Sequence, residues 1–597
     1  MRKIDDKRFW ILLIISGLSL ITFLGCAYFN TKGEPREAVV SLSMLKYGNW
    51  ILPVNNGTDI AYKPPLLHWC IALLSAVGGG VSELSARLPS ALSLMAMVLM
   101  GYLFFARRIS RNTAFVAALI TLSCFEIHRS GTQCRVDMLL SAFIVMALYR
   151  LHSWGERGMR GIPLTAVIFM SCAFLTKGPV GILLPCMVEF VFLWIRRGCT
   201  WRSFLRITAA ALAACIAPAL WYAAAYMQGG NHFLLLVYEE NVLRFLGKMT
   251  YASHVKPVYY NFLTLAAGYM PYTLLLITSL FGLRRVSAGG KTGSMWNKAK
   301  TYIKTMDDSR LFSLLSIVLI FVFYCIPKSK RSVYLLPIYP FIAVFIADYI
   351  IRMARSRRLV VNILGSMMSC VALLMPILLL CLRHDAVAQA LLPDSLDFTT
   401  SAIVGALQTK HIGIADIAII MTPVMAAAVF AAVRKREGLT PVYSITGINL
   451  AIFFALDGFY LPTVLNAKSD KGVAMTIKHS VPDGTIYSYM TDIVEGNPMR
   501  PFTINFYLGD RVIPFEAEHP DSGYMIAGGN DVEKFKQTYK QYDVKEMINF
   551  NHRSCDDKKM LHMYRFYKAK TDVTTAEYTD KNKKEYIDWV CQLRYSY

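Results

Sequence analysis

Long apolar runs separated by short polar segments dominate the hydrophobic pattern of this chain. The runs are about 15–25 residues long, the length that an α-helix needs to cross a bilayer. Basic clusters separate many of them, and we interpret these clusters as cytoplasmic because cytoplasmic loops are enriched in Lys and Arg. The pattern predicts a polytopic helical membrane protein of about 13 spans, near residues 9–28, 88–106, 112–127, 137–152, 162–176, 179–195, 203–226, 258–283, 310–326, 332–351, 359–381, 412–433 and 441–461.

One apolar segment does not fit as a membrane span. Leu66 to Val77 is short and is followed by three glycines, and counting it as a crossing would place Arg107 and Arg108 outside. We therefore predict a long exoplasmic loop over residues 30–87. Within it, segments 36–46 and 66–77 are expected to be helices lying in the membrane interface.

The last part of the chain has a different pattern. Residues 463–597 alternate strand-like segments (485–489, 502–508, 524–527 and 560–567) with helix-like ones (468–479 and 531–539). This predicts a transmembrane domain over residues 1–462 followed by a small α/β domain. The basic N-terminus, with Arg2 and Lys3, favours a cytoplasmic start, and the first run is too long for a removable signal peptide. An odd number of spans then places the C-terminal domain on the exoplasmic side.

Composition agrees with a membrane protein and excludes a soluble one. The 597 residues are 55% hydrophobic, with a mean hydropathy of +0.40. The net charge is +23, but residues 463–597 hold 19 basic and 19 acidic side chains, so the excess lies in the membrane part. Positively charged cytoplasmic loops explain that excess better than a nucleic-acid partner does. The 13 cysteines show no metal-type spacing; Cys555 and Cys591 could pair in an exported domain.

Charged side chains collect in the segments predicted to lie outside. An acid and several cations beside a bilayer suit a reaction on a phosphate-bearing lipid, because Arg and Lys are the natural partners of phosphate. The candidates of both signs are Glu34, Arg36, Glu37, Lys63, Arg135, Asp137, Lys177, Glu240, Arg244, Lys330 and Arg331.

The run Lys328-Ser329-Lys330-Arg331 departs from the expected charge bias, because it puts three cations on the outer side. Phosphate binding explains them, and the alternative is that they are snorkelling residues on a short loop. Two further alternatives are ion pairs of Glu34 with Arg36 and of Asp137 with Arg135. Lys63 could equally be a solvated interfacial lysine, and Lys177 an anchor at a helix end.

At these residues the chain resembles a known superfamily. It is similar to the bacterial members of the protein O-mannosyltransferase and aminoarabinose–lipid A transferase superfamily, which are membrane glycosyltransferases of the GT-C architecture. The resemblance covers roughly residues 9–350, in a combination of motifs that is specific although each motif alone is weak. The motifs are Glu34-x-Arg36, Gly48-Asn49-Trp50, Tyr62-Lys63-Pro64-Pro65, Arg135-x-Asp137, Thr176-Lys177-Gly178, Arg244-Phe245 and Lys330-Arg331-x-x-Tyr334.

The resemblance implies roles for particular residues. Glu34 and Asp137 match the catalytic acidic positions of the first and second loops. Arg36, Lys63 and Arg244 match positions that hold the lipid phosphate, and Lys330, Arg331 and Tyr334 would complete that site. Further site residues would be Glu37, Arg135, Lys177 and Glu240.

The chain also departs from the family pattern. Many relatives carry an Asp-Glu pair in the first loop, whereas Gly33 stands at the first of those positions here. Many also have Tyr after the arginine, where this chain has Glu37. Either Glu34 acts without an aspartate beside it, or Asp137 is the main acid/base residue.

The implied reaction takes a sugar from a polyprenyl phosphate, in bacteria undecaprenyl phosphate, to an acceptor outside the inner membrane, with inversion at the anomeric carbon. The acceptor could be lipid A, another envelope glycan or a protein. A divalent cation held by Glu34 and Asp137 is a further possibility. The alternatives are a lipid-linked sugar flippase and an oligosaccharide ligase or polymerase that uses a pyrophosphate-linked glycan.

Overall fold

The computed structural model describes residues 6–198, 200–246, 248, 255–280, 305–391, 397–491 and 498–569. Up to residue 467 the regular secondary structure of the described chain consists of helices and one two-stranded hairpin in the first loop, β1 (Val54–Asn55) and β2 (Asp59–Ile60). Its helices are α1 Lys7–Ile21, α2 Gly33–Tyr47, α3 Leu66–Val77, α4 Glu83–Ala106, α5 Arg111–Ser123, α6 Phe125–Gly131, α7 Val136–Glu156, α8 Leu164–Lys177, α9 Val180–Arg197, α10 Trp201–Tyr238, α11 Arg244–Leu246, α12 Tyr259–Gly268, α13 Leu274–Leu280, α14 Asp308–Cys325, α15 Tyr339–Ser356, α16 Arg358–Arg383, α17 Asp385–Leu391, α18 Phe398–Thr409, α19 Ile414–Val433, α20 Thr440–Ala455 and α21 Leu461–Ala467.

Three further helical turns join these helices. A π-helical turn, Glu239–Leu243, links α10 to α11, and a second, Leu456–Tyr460, links α20 to α21. A 3₁₀ segment, Ser332–Ile338, leads into α15. Two of these segments contain residues that the sequence singles out, Glu240 and Tyr334.

Eight helices in the described part of the chain are long and apolar enough to cross a membrane. They are Glu83–Ala106, Val136–Glu156, Trp201–Leu246, Asp308–Cys325, Ser332–Ser356, Arg358–Arg383, Ile414–Val433 and Thr440–Ala467. The predicted helical membrane fold is confirmed, whereas the number of thirteen spans stays a prediction. Helices also form at the shorter predicted spans, for example α1 and α8, and the end of the span predicted at 258–283 lies outside the described residues.

Local sequence signals explain where the helices of the first loop begin and end. The predicted short helices at 36–46 and 66–77 are present as α2 and α3. Gly48 ends α2 with a φ of +75°, a conformation that favours glycine, and its N–H donates to the carbonyl of Met44. Ser82 begins α4 with a capping box, because its side chain accepts from the backbone N–H of Ser85 and the Ser85 side chain returns the bond.

Helix α7 lies at the centre of the membrane part. It is the most enclosed of the eight long helices, because 83% of its apolar 18-residue stretch is buried inside the protein. It packs against α4, α8 and α9. Asp137 stands in its first turn. The partial positive charge of a helix N-terminus stabilises a carboxylate there, so the fold holds this acid at the end of its most buried helix.

The chain after residue 467 forms a mixed sheet with helices. Strands β3 (Ile486–Tyr489), β4 (Val512–Pro514), β5 (Ser522–Gly528), β6 (Tyr542–Arg553) and β7 (Met560–Lys568) lie in the order β4-β3-β5-β7-β6. β4, β3 and β5 are parallel, and β7 and β6 are antiparallel to their neighbours. Helices α22 (Lys471–Ser480), α23 (Phe502–Tyr507), α24 (Phe515–Glu518) and α25 (Gly529–Thr538) complete the sheet region.

The strand predicted at 502–508 is wrong, because that segment is helix α23. Consecutive residues from Phe502 to Phe506 are all buried, which a strand with one solvated face does not show. Ile504 faces the core of the sheet region, while Phe506 packs edge-on against Phe29, directly before the first loop, with 4.8 Å between ring centroids. The segment is apolar on two sides because it is enclosed by two parts of the chain.

Several polar contacts fix this sheet region against the first loop. The Lys46 ammonium donates to the carbonyls of Gly509 and Asp510, each at 2.9 Å. The Asn505 amide donates to the Asn56 side chain at 2.6 Å, and Lys471 pairs with Glu83 at 3.2 Å. The division into domains at residue 462 stays a prediction, and Cys591, the proposed partner of Cys555, lies outside the described residues.

Candidate functional site

The acids and cations singled out in the sequence form one connected group. Asp137 interacts electrostatically with Lys177, Arg331 and Arg135. Lys63 in turn interacts with Arg36, Glu37, Glu240 and Lys177. Lys177, the partner of Asp137, therefore lies near Lys63, and charged residues from segments far apart in sequence come close together.

Asp137 is almost completely buried and is paired with Lys177. The lysine Nζ lies 2.5 Å from the Asp137 carboxylate and 4.4 Å from the centre of the Tyr334 ring. The alternative interpretation paired this aspartate with Arg135, and the structure replaces that partner with Lys177. The ammonium at the end of α8 therefore lies between a carboxylate and an aromatic face. These two contacts favour a role in the site over the alternative of a simple helix-end anchor.

Glu34 is bonded on both carboxylate oxygens. Arg87 donates to them from Nε at 2.8 Å and from a terminal nitrogen at 3.0 Å, and the backbone N–H of Cys134 donates at 2.8 Å. Burial raises the pKa of Glu34, but the charge and hydrogen bonds of Arg87 outweigh it and the pKa lies below its usual value. The alternative interpretation paired Glu34 with Arg36, but its bonds go to Arg87 and Cys134, so Glu34 connects α2 to α4 and to the segment before α7.

Glu37 is the centre of a second ionic cluster. Its carboxylate lies 3.0 Å from Arg36, 3.4 Å from Lys63 and 2.9 Å from the imidazole of His68. Burial opposes ionisation, yet the charges of Lys63 and Arg36 hold the pKa of Glu37 well below its usual value. Burial and the charge of Arg36 lower the pKa of Lys63. A fixed carboxylate thus aligns the two first-loop cations.

The guanidinium of Arg135 fills the space beside Gly33. A Cβ placed on Gly33 would lie 2.4 Å from a terminal nitrogen of Arg135. The arginine is itself largely buried, and burial together with the nearby charge of Arg331 lowers its pKa. The unusual glycine of the first loop therefore makes room for a cation in the site.

Glu240 and Arg244 form an ion pair where α10 changes into α11. The π-helical turn between the two helices adds one residue per turn and redirects the side chains there, a feature often found at functional sites. Besides its ion pair with Glu240, Arg244 lies near the side chains of Tyr334 and Tyr62. Arg244 thereby lies near both ionic clusters: the Asp137–Lys177 pair, whose lysine contacts Tyr334, and the Glu37 cluster, which Tyr62 adjoins.

Two cavities adjoin this group. The first, which we call the first-loop cavity, has a volume of about 90 Å³, and the second, the basic cavity, about 230 Å³. The first-loop cavity is lined from the first loop by Arg36, Glu37, Asp59, Tyr62, Lys63 and His68, and from the C-terminal part by Pro498, Arg500 and Phe502. The basic cavity is lined by Arg129, Arg135, Lys256, Tyr260, Lys330, Arg331, Ser332 and Val333.

Sequence reasoning missed Arg87, His68, Asp59 and Arg500. Arg87 lies within the apolar helix α4, and an arginine there is costly unless it is paired, so its position could have flagged a buried carboxylate partner. His68 lies in apolar α3 and offers the same signal. Asp59 and Arg500 gave no signal, because only the docking of the C-terminal part brings them to 3.3 Å.

The two predicted catalytic carboxylates do not fit a divalent metal. The oxygens of Glu34 are occupied by Arg87 and by the Cys134 N–H, and Asp137 is held by the Lys177 ammonium. These cations stand where a metal would have to bind, and their charge would repel it. We derive no step through a metal at this site.

Comparison with known proteins finds a family model and several relatives that match part of this chain. The family model described as dolichyl-phosphate-mannose-protein mannosyltransferase matches residues 62–222. An uncharacterized protein of Aquifex aeolicus is 29% identical over 58% of this chain and 64% of its own length. The undecaprenyl phosphate-alpha-4-amino-4-deoxy-L-arabinose arabinosyl transferase 2 of Proteus mirabilis is 28% identical over 54% of this chain and 55% of its own length. These two matches span 64% and 55% of the relatives' own length, which is less than two thirds in both cases.

A solved structure resembles the fold over nearly the whole chain. The crystal structure of ArnT from Cupriavidus metallidurans bound to undecaprenyl phosphate has a TM-score of 0.68 and is 17% identical, covering 94% of this chain and 98% of that one. At this identity the likeness establishes the fold, including the C-terminal sheet region beside the helices.

Proposed function

We propose that this chain is a membrane glycosyltransferase of the superfamily of the protein O-mannosyltransferases and aminoarabinose–lipid A transferases, and that it moves a sugar from a polyprenyl phosphate to an exoplasmic acceptor. One observation carries the proposal. Asp137, a buried acid, is paired with Lys177, and Lys177 lies close enough to the first-loop cation Lys63 for their charges to act on each other. An acid and cations held together are what transfer from a lipid phosphate requires.

The cations would stabilise the departing phosphate. When the bond between the anomeric carbon and the phosphate oxygen breaks, the electron pair stays on that oxygen and the lipid phosphate gains negative charge. Lys63, Arg36 and Arg244 are the first candidates to meet it, because Glu37 and Glu240 already align them. Fixed charges in a water-poor site contribute several kcal/mol to such a step, about 3 for one donor.

Asp137 is our candidate general base. It would take the proton from the acceptor hydroxyl while that oxygen forms its bond to the anomeric carbon, on the face opposite the leaving phosphate, so that the configuration inverts. Lys177 would hold the carboxylate in position and keep it ionised until the proton arrives. The contacts of Glu34 favour a positioning role, since its oxygens are bonded to Arg87 and Cys134.

The basic cavity would lie on the acceptor side in this scheme, so that Lys330 and Arg331, which line it, would face the acceptor in place of the lipid-phosphate role that the resemblance implies. Arg135 and Arg331 line it and both interact with Asp137. We propose the bacterial inner membrane as location, with the N-terminus in the cytoplasm and the C-terminal sheet region outside. Candidate acceptors are lipid A, another envelope glycan and a protein.

A reconstituted assay tests the proposal. The purified full chain is placed in liposomes with envelope extract as acceptor and with synthetic donors linked to undecaprenyl through one phosphate or through a pyrophosphate. Sugar incorporation from the monophosphate donor, lost in Asp137→Asn, is expected. Incorporation from the pyrophosphate donor alone would identify a ligase, and donor translocation without incorporation would identify a flippase; either result overturns the proposal.

Mass spectrometry then identifies the acceptor. Envelope lipids and glycoproteins are compared between the wild type and a strain that lacks the gene. Loss of one sugar from one class of molecule is expected. Complementation with Asp137→Asn should fail to restore it, while complementation with the exposed-surface variant Glu437→Gln should succeed, because that side chain is 89% exposed.

A further inference from the structure

The first-loop cavity has walls from two distant parts of the chain. One wall holds Lys63 and Arg36, the proposed phosphate ligands. The other holds Arg500 from the C-terminal part, whose side chain is 8% exposed and whose Nε lies 3.3 Å from the Asp59 carboxylate. Phe502 lies in the same wall. A donor whose phosphate meets the first wall would extend its sugar toward the second.

Both carboxylates of this cavity are already bonded to cations. Glu37 holds Arg36, Lys63 and His68. Asp59 holds Arg500 and also accepts from the Asn56 amide at 3.2 Å. A cationic group on a ligand would compete with these cations for the carboxylates, and a cation that it displaced would lose an ionic partner in a site largely closed to water, which is costly.

Sugar hydroxyls meet no such barrier. A hydroxyl can donate to a carboxylate that keeps its arginine, and it can accept from the guanidinium, which has five N–H donors. The aromatic rings of Phe502 and Tyr62 add apolar surface of the kind on which a sugar ring packs. The cavity is therefore suited to a polar, uncharged ring.

We propose that the first-loop cavity selects a donor sugar without positive charge, and that Arg500, through its pair with Asp59, is the residue that sets this selection. This rests on the proposed function and narrows its substrate class. It separates this chain from the Proteus mirabilis relative, whose name specifies an amino sugar. An amine of that kind is protonated at neutral pH and would face Arg500.

Donor binding to the full chain in detergent tests the selection. Three probes compete with labelled undecaprenyl phosphate: undecaprenyl phosphate itself, its mannose ester and its 4-amino-4-deoxyarabinose ester. The mannose ester is expected to bind at least about tenfold more tightly than the aminoarabinose ester, since like charges brought together at a binding site are costly. Equal or tighter binding of the amino sugar would overturn the inference.

Charge variants then assign the effect to Arg500. Arg500→Gln should bring the affinities of the two esters within about threefold of each other by strengthening aminoarabinose binding, since Asp59 is then released. Arg500→Lys keeps the charge and should preserve the ratio even where the glutamine variant is unstable. Lys534→Gln, an exposed lysine on α25, is the matched control and should change nothing. An unchanged ratio in folded Arg500→Gln would contradict the assignment.

The same binding experiment distinguishes failure of the proposed glycosyltransferase function from failure of the proposed sugar selection. If undecaprenyl phosphate itself does not bind, the proposed function fails with it. If undecaprenyl phosphate binds while the two sugar esters are not distinguished, the proposed function stands and only the selection by Arg500 fails.

Discussion

At the scale of single residues, the two predicted catalytic acids differ in their surroundings. Asp137 is held by one ammonium at the start of α7, whereas Glu34 is locked by Arg87 on both oxygens. A base must be able to exchange its partner for the acceptor's proton, and the first arrangement allows this more readily. We therefore expect different effects when each of the two acids is replaced.

Replacing Asp137 by Asn should abolish proton removal and leave donor binding intact. Turnover should fall by about 10²–10⁴-fold, the usual contribution of a general base. The check is sugar transfer per folded molecule, with binding of undecaprenyl phosphate measured on the same sample. Glu437→Gln serves as the control, and turnover near wild type in Asp137→Asn would remove this residue from the mechanism.

Replacing Glu34 by Gln should act on stability. The buried Arg87 loses its charged partner, and breaking a buried ion pair costs about 3–5 kcal/mol. A lower unfolding temperature in detergent is expected, with transfer per folded molecule close to wild type; Glu533→Gln, an exposed acid on α25, is the control. If transfer collapses while the unfolding temperature is unchanged, Glu34 and not Asp137 is the base.

At the scale of elements, the sequence predicts well those parts that follow from local periodicity. Helices α2 and α3, strands β3, β5 and β7 and helices α22 and α25 all form close to their predicted positions. Helix α23 and the pair Asp59–Arg500 do not follow from local pattern, because both depend on the docking of the sheet region against the first loop. The predicted topology collected the charged residues of this group in the outer segments, and the family motifs then implied their roles. Neither gave an indication of Arg87.

The sheet region should also lose stability as the pH rises. Burial and the neighbouring Asp470 raise the pKa of Asp556 to about 8, from an ordinary 3.8 in the unfolded chain. The folded state then binds more protons than the unfolded state between these values, so stability falls with rising pH across that window and is greatest below it. Differential scanning fluorimetry should give a higher unfolding temperature at pH 5 than at pH 8.

A variant isolates this contribution. Asp556→Asn cannot ionise, so its unfolding temperature should depend less on pH than that of the wild type. Asp483→Asn, an exposed acid before β3, should retain the full dependence. Identical pH profiles for wild type and Asp556→Asn would show that another group is responsible.

At the scale of the whole molecule, the proposed orientation puts the catalytic group and the sheet region on the outer side. Single cysteines introduced into a cysteine-free version at Val77 and Lys540 should react with a membrane-impermeant maleimide in cells with a permeabilised outer membrane. A cysteine at Glu437 should react only after the inner membrane is opened. All three positions are exposed in the structure. Labelling of position 437 in intact cells would reverse the orientation and the proposed topology.

The close approach of Arg135 to Gly33 has an evolutionary consequence. The guanidinium occupies the volume that a first-loop side chain would need, with 2.4 Å between its nitrogen and an added Cβ. Mutation at either position therefore changes the selective pressure on the other, and an acid could enter at 33 only together with a shift of the arginine. We expect the two positions to covary among descendants of a common ancestor. A glycine at 33 should then identify a lineage in which the Arg135 guanidinium occupies this part of the site.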